Sequence, residues 1–155
     1  MDLMAGAFLV GSGATAATDL WAAVRSRLLG IAPPDFCHVG RWLGHLTRGR
    51  MRHAAIAAAP PVRLECLIGW VAHYVIGIAF AALLLGAWGS AWLRQPALVP
   101  ALIVGIGTVV APLLVMQPAM GVPFAARRAL HSLVTHLFFG VGLYAAGRIT
   151  NLIFY

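Results

Sequence analysis

Two histidines in matching apolar surroundings are the side chains of this sequence most able to do chemistry. The pattern V-x-H-x-x-x-G occurs at Val71–His73–Gly77 and again at Val134–His136–Gly140. An ionisable side chain inside a long apolar segment is costly and usually has a role. Histidine titrates near neutral pH, so it can move a proton or bind a metal. The pair therefore marks an internal duplication and the first place to look for function.

A carboxylate lies in a similar setting nearer the N-terminus. Gly11, Thr15, Asp19 and Ala23 are four residues apart and share one face of a helix. Small residues let helices approach closely, and polar groups can then bond across the interface. Counted from the ends of their segments, Asp19 and the two histidines lie roughly 10–12 Å below the same surface. The predicted polar cluster consists of Asp19, His73, His136, Gln117, Glu65 and His131.

This cluster has three interpretations, and the sequence leaves all of them open. Asp19 can pair with a histidine simply to hold the helices together, because a buried carboxylate needs a partner. Acidic and histidine side chains at stepped depths can also form a proton or substrate pathway. Finally, His73 and His136 are candidate haem ligands, because a glycine four residues later would leave room for a porphyrin edge. We expect no cofactor, with haem or quinone as the alternative.

Other patterns that could carry chemistry are weaker. Cys37, His38, His45 and His53 are residue types that bind zinc, but their spacing matches no standard site, so we expect no metal. Cys37 and Cys66 fit neither a C-x-x-C motif nor a disulfide framework, so we expect two reduced thiols near the membrane. No serine lies in a recognisable nucleophile motif, and no catalytic residue is predicted.

Composition places the chain in lipid. Of its 155 residues 61% are apolar and 10% charged, with a mean hydropathy of +0.89. Soluble domains are nearer to about half apolar and a quarter charged. All eleven basic residues are arginines, and the formal net charge is +7. These arginines lie between apolar segments, so they indicate membrane topology and not a nucleic-acid partner.

Four segments are long enough to span about 30 Å of hydrocarbon at about 1.5 Å per residue. They cover residues 3–24, 67–93, 97–116 and 130–149. We therefore predict one all-α integral membrane domain over 1–155, a bundle of four transmembrane helices. Because residues 9–13 resemble residues 103–107, we also predict a 2+2 internal repeat with parallel halves. The chain begins without a basic region before its first apolar segment, so we expect that segment to be retained.

The arginines set the expected orientation. Nine of them lie in the 1–2 and 3–4 connections, and only Arg94 and Arg148 lie on the other side. The positive-inside rule then places the connections in the cytoplasm and both termini in the periplasm. Residues 30–64 are too long for a turn and are predicted to lie in the cytoplasmic interface. The residues expected to face lipid there are Arg41, Trp42, His45, Arg48, Arg50, Arg52 and His53.

Several motifs together resemble a known family over roughly residues 11–144. They are Val39-Gly40-Arg41-Trp42-Leu43-Gly44-His45, Arg52-His53-Ala54-Ala55-Ile56, Ala59-Pro60-Pro61-Val62, Gly69-Trp70-x-x-His73-Tyr74, Gly107-Thr108-x-x-Ala111-Pro112 and Met116-Gln117-Pro118. The combination is similar to a bacterial multi-pass membrane family known only as a domain of unknown function. The resemblance implies an inner-membrane protein, and it supplies no activity and no catalytic residue.

The expected function is that of a non-enzymatic accessory or assembly subunit of a larger membrane complex. Small size and the lack of a catalytic pattern favour it. One alternative is a small transporter or proton-coupled carrier that uses Asp19, His73 and His136; another is a haem- or quinone-binding electron carrier. The expected partners are the lipid bilayer and other membrane subunits, and the small-residue stripes also permit homo-oligomers.

Overall fold

The computed structural model describes all residues 1–155 and contains five helices and no strand. The helices are α1 (Leu3–Leu29), α2 (Phe36–Leu46), α3 (Glu65–Arg94), α4 (Leu98–Ala119) and α5 (Ala126–Phe154). All except α2 are long and apolar enough to cross a membrane. The prediction of an all-α protein with four membrane-spanning helices is therefore confirmed.

The helices pack in the spatial order α2, α3, α1, α5, α4, so the first and last long helices lie at the centre. Val10, Leu84, Leu85, Leu93 and Leu143 are fully buried and form the centre of the apolar core. Many large apolar side chains on the outer faces remain exposed. Such a perimeter is expected where the solvent is hydrocarbon.

Glycines set the spacing of two helix pairs. A Cβ added to Gly11 of α1 would lie 2.5 Å from the Cα of Ile78 and 2.9 Å from the carbonyl oxygen of Gly77 on α3. A Cβ on Gly105 of α4 would lie 2.6 Å from the backbone nitrogen of Gly140 on α5. Only residues without a side chain allow this backbone contact, so these glycines hold the helices at close range.

The predicted internal repeat is not supported by the arrangement of the halves. The matched glycines do make similar contacts, Gly11 with Gly77 and Gly105 with Gly140. A twofold axis, however, would make the α1–α5 and α3–α4 interfaces equivalent. In the structure α1 packs extensively on α5, whereas α3 and α4 meet over a small area. The repeat therefore stays a prediction from sequence.

Two of the long helices are interrupted. Gly89 in α3 has φ 70° and ψ −175°, which breaks the helix close to its C-terminal end. Pro112 in α4 lies in a wide π-type turn over Ala111–Met116. Proline lacks the backbone N–H and clashes with the preceding turn, so the helix widens there.

Nine arginines lie in the connections at one end of the bundle or in the helix turns next to them. The backbone N–H groups of His53 and Ile56, between α2 and α3, donate to Ala119 and Met120 at 2.9 Å each. At the opposite end, the Asn151 side chain donates to the Arg94 carbonyl at 3.0 Å. The end that holds the 1–2 and 3–4 connections is called the arginine-rich end below.

Candidate functional site

Asp19 on α1 lies between two side chains of α3. The Nε2–H of His73 donates to Asp19 Oδ1 at 2.9 Å, and the Tyr74 hydroxyl donates to Oδ2 at 3.1 Å. Contact between Gly77 and Thr15, one turn away, brings the helices close enough for these bonds. The Asp19 and His73 side chains are only 24% and 20% exposed. The predicted Asp19–His73 contact is thus present, and Tyr74 completes it.

Aromatic rings surround this group on the side of α2. The Phe36 ring stacks on His73 with centroids 4.1 Å apart, and Trp70 meets His73 edge-on at 5.9 Å. Asp19, Phe36 and Trp70 line an open cleft of about 360 Å³, with Arg27 also in its wall. A carboxylate, an arginine and two aromatic rings can bind a small polar group, and the Asp19–His73 bond can exchange a proton.

His136 lies in a separate polar contact. The Thr108 hydroxyl donates to the Gly105 carbonyl at 2.6 Å, and its oxygen accepts from His136 Nδ1–H at 2.7 Å, a tautomer assigned from these contacts. No hydrogen bond or ring contact joins His136 to His73. Gly77 and Gly140, which the haem hypothesis assigns to a porphyrin edge, instead contact neighbouring helices. Haem ligation stays a prediction that would require these contacts to open.

The other members of the predicted cluster make no hydrogen bond to Asp19. Glu65 pairs with Arg41. Gln117 lies at the end of α4, where its backbone carbonyl accepts from Val122 at 2.9 Å. His131 contributes its backbone carbonyl to the Thr135 hydroxyl. The six predicted residues therefore form separate hydrogen-bonded contacts and not one network, because shared depth does not place side chains on facing sides of their helices.

Arg41 of α2 ties the 1–2 connection together. Its Nη2 and Nε donate to the two Glu65 oxygens at 2.6 and 2.8 Å. Its Nη1 donates to the carbonyls of Ile56, Ala57 and Ala59 at 3.1–3.3 Å. The hydrogen bonds that Arg41 donates to the Glu65 carboxylate raise the pKa of Arg41 above its usual value. Sequence reasoning assigned Arg41 to lipid phosphates, whereas the structure directs its guanidinium inward. Residues 36–66 are called the clasp below.

Two further residues assigned to lipid are also turned inward. His45 is buried and its Nε2 lies 2.9 Å from the Pro60 carbonyl oxygen. His53 is 7% exposed, its ring meets that of His45 at 5.0 Å, and neither ring nitrogen has a partner. Burial lowers the pKa of His53, and the nearby charges of Arg50 and His45 lower it further. Both rings pack the clasp.

Of the remaining residues predicted to face lipid, Trp42 makes a contact within the clasp and three arginines lie on its surface. The Trp42 indole N–H donates to the Met51 carbonyl at 3.0 Å. Arg48, Arg50 and Arg52 are exposed, and their contact with lipid stays a prediction. Sequence reasoning therefore located the basic surface, but it could not identify which side chains hold the connection in place.

The expectation of two reduced thiols is wrong. Cys37 and Cys66 form a disulfide, with Cα atoms 3.8 Å apart. Each cysteine is followed three residues later by a glycine, Gly40 on α2 and Gly69 on α3, and these glycines contact the backbone of the opposite helix. The C-x-x-G pattern, which occurs in both helices, is the sequence feature that could have indicated this contact and the disulfide beside it. The spacing of the two cysteines alone cannot show that α2 folds back onto α3.

Arg25 is a buried cation, although its place in the sequence counts it among the arginines of the connections. It is 6% exposed, and its Nη1 donates to the Thr135 hydroxyl of α5 at 3.3 Å. Its Nε is buried without a partner. All four carboxylates are used elsewhere: Asp2 and Asp35 cap helices, Asp19 binds His73, and Glu65 binds Arg41. Arg25 therefore has no acidic partner within the chain.

These features define a small multi-pass helical membrane protein with a tightly held connection at its arginine-rich end. The particular family follows from sequence comparison. The family described as "Protein of unknown function (DUF2938)" matches residues 8–150, and the chain belongs to it. No curated protein and no solved structure matches the chain. The predicted resemblance to a family of unknown function is therefore confirmed.

Proposed function

We propose that this protein is a non-catalytic accessory subunit of a bacterial inner-membrane complex. Its arginine-rich end lies in the cytoplasm, and both termini lie in the periplasm. One observation carries the proposal: seven of the nine arginines at that end are exposed, and none of them forms an ion pair with a carboxylate. These residues are Arg27, Arg48, Arg50, Arg52, Arg63, Arg127 and Arg128.

The framework behind this surface supports a structural role. Packed helices are joined by polar bonds as well as by glycine contacts: Asp19–His73 joins α1 to α3, and Thr108–His136 joins α4 to α5. Arg25–Thr135 joins α1 to α5. Buried polar pairs resist separation, because each group would lose its partner in a medium without water. These contacts therefore hold the helices, and with them the exposed arginines, in fixed relative positions.

The partner that fits this surface is a subunit with an acidic cytoplasmic face. A single exposed ion pair contributes little, but an array of like charges steers association and fixes orientation. Because the interaction is between exposed charges, it weakens with salt over a Debye length of about 8 Å at physiological ionic strength.

The test compares arginines at the two ends of the bundle. In mildly solubilised native membranes, the chain should migrate as part of a larger particle on native gels. Combined Arg48→Glu, Arg50→Glu and Arg52→Glu changes should release it, whereas Arg94→Glu at the opposite end should not. Three results would overturn the proposal: a wild-type chain that runs alone, a particle that contains only lipid or further copies of the chain, and a triple variant that stays bound.

A second candidate function is a small proton-coupled carrier, and one observation favours it. Asp19 is bonded to His73 and also lines the cleft of about 360 Å³. Asp19→Asn keeps the size of the side chain and removes its charge, so in sealed vesicles it should abolish proton-linked uptake. Thr108→Ser, in the other polar contact, is the matched control. Unchanged uptake in Asp19→Asn would end the carrier interpretation.

A further inference from the structure

We infer that Cys37 and Cys66 form a thiol-exchange site at the arginine-rich end. Small thiols or dithiol proteins reduce its disulfide, and the disulfide re-forms on oxidation. The site is independent of the accessory role proposed above and shares with it only the orientation of the chain.

The first argument is that the backbone, not the disulfide alone, holds the two cysteines together. Gly40 and Gly69 place α2 and α3 in direct backbone contact one turn beyond the cysteines. The bonds from Arg41 to Glu65 lie at the same crossing. These contacts do not require an S–S bond. Reduction therefore leaves two neighbouring thiols, which is what reversible closure needs.

The second argument is that the two sulfurs have different surroundings. Cys66 is exposed and lies in the first turn of α3, whose N-terminus has no side-chain cap. Free N–H groups at a helix start stabilise a thiolate. Cys37 is half-buried, and its backbone N–H already donates to Asp35 at 2.9 Å. Cys66 is thus the accessible sulfur and Cys37 the resolving one.

The third argument is the side of the membrane. The arginine bias places the clasp in the cytoplasm, where thiol systems keep most cysteines reduced. Disulfides that do form there are usually transient, catalytic or redox-sensing. The structure pairs Cys37 with Cys66 on that same side. A disulfide that cytoplasmic thiols can reduce, and that re-forms on oxidation, agrees with both the cytoplasmic location and the presence of the bond.

The exchange balances in two steps. An incoming thiolate attacks the Cys66 sulfur, the Cys37–Cys66 bond breaks, and Cys37 leaves as a thiolate that takes up a proton. A second thiol, as thiolate, attacks the incoming sulfur of the mixed disulfide and displaces Cys66, which is protonated in turn. The sum is one protein disulfide and two thiols giving one protein dithiol and one external disulfide.

Closure of the disulfide also affects the cleft beside it. Cys37 directly follows Phe36, whose ring stacks on His73 and lines the cleft that Asp19 shares. The disulfide fixes the start of α2 against α3 and so restrains Phe36 in that position. Reduction removes this restraint while the Gly40–Gly69 contact remains.

The experiment uses the full chain in lipid nanodiscs. With millimolar reduced glutathione, maleimide-polymer labelling should change from no added polymer to two, and removal of the thiol with added oxidised glutathione should reverse it. With oxidised glutathione, Cys37→Ser should accumulate a glutathione adduct on Cys66 and release one reduced glutathione, and the adduct is detected by intact mass. Cys66→Ser should react at least about tenfold more slowly, because Cys37 is less accessible and its helix end is already capped.

Two outcomes would overturn the inference. The first is a wild-type disulfide that stays closed in millimolar glutathione. The second comes from acid-quenched cells: a chain that remains entirely disulfide or entirely dithiol before, during and after a pulse of thiol oxidant is not exchanging. Both measurements use the wild-type chain, so the result does not depend on whether the serine variants fold. A reporter fusion at the C-terminus checks the orientation separately.

Discussion

The contact between α2 and α3 makes Gly69→Ala the most informative single substitution. A Cβ at Gly69 would overlap the Phe36 carbonyl oxygen, and it would lie 2.6 Å from the Phe36 carbonyl carbon and 3.1 Å from the Gly40 nitrogen. Ordinary Cβ contacts begin at 3.4 Å, so clearing the Phe36 carbonyl carbon alone requires the backbone of α2 to move by about 0.8 Å, and clearing the overlapping oxygen requires a larger movement. Backbone atoms, unlike the end of a flexible side chain, cannot rotate away.

The displacement lowers the free energy of unfolding by an amount that can be bounded. Forcing one extra carbon into a closely packed site typically costs about 1–3 kcal/mol. For a chain of this size, that corresponds to a fall in Tm of about 2–12 °C. Because Arg41 moves with α2, its bonds to Glu65, now 2.6 and 2.8 Å, would lengthen toward the limit for hydrogen bonds. Re-formation of the Cys37–Cys66 disulfide should slow as well.

The same helix supplies a matched control. Gly86 of α3 is exposed, and a Cβ there would meet nothing within 4 Å. Gly86→Ala should therefore raise stability by about 0.8–1.0 kcal/mol through helix propensity alone. Thermal unfolding of both variants in one detergent, with tryptophan emission as the signal, makes the comparison. If Gly69→Ala unfolds within about 1 °C of wild type or above it, the close contact between α2 and α3 is refuted.

Three further predictions concern other parts of the arginine-rich end. Burial holds the pKa of His53 below its usual value, so the unfolded chain binds more protons than the folded chain at mildly acidic pH. Stability should fall as the pH drops below about 6.5. The Tm of His53→Phe should depend less on pH than the Tm of the wild type, and equal slopes of Tm against pH for the two proteins would contradict this. Arg25→Met replaces a buried cation that has no acidic partner with an apolar side chain of similar volume. The Tm should therefore stay the same or rise by up to several °C. A fall in Tm would show that the guanidinium makes net favourable contacts. Leu64 has φ 61°, a conformation that costs a non-glycine residue roughly 1–2 kcal/mol, so Leu64→Gly should keep or raise the Tm, whereas Leu64→Val should lower it.

The fold could largely be predicted because its signals are local. Long apolar segments predict spanning helices, and arginine counts identify which connections lie together. Helix ends were less predictable: α1 continues to Leu29, beyond the apolar segment, because Arg25 and Arg27 are tolerated in its last turns. The repeat failed as a guide to packing because matched helices need not have matched neighbours.

The site could be predicted only in part because it depends on which faces meet. Asp19 and His73 were placed together correctly, since small-residue stripes bring α1 to α3. His136 was assigned to the same cluster from its depth, yet it faces Thr108 on α4. The clasp was the hardest to foresee, because the disulfide and the bonds of Arg41 arise from a chain reversal that no local pattern encodes.

The position of α1 and α5 at the centre of the bundle has a consequence for how the chain is made. The ribosome produces α1 well before α5, and the Arg25–Thr135 bond joins residues 110 positions apart. Until α5 arrives, the α1 face that carries Arg25 and the small residues is open to lipid or to another protein. The α1–α3 hairpin and the clasp can form early, whereas burial of Arg25 must wait until α5 has been made. A chain that still lacks α5 therefore differs from one that contains it by a single exposed positive charge, which quality control can recognise.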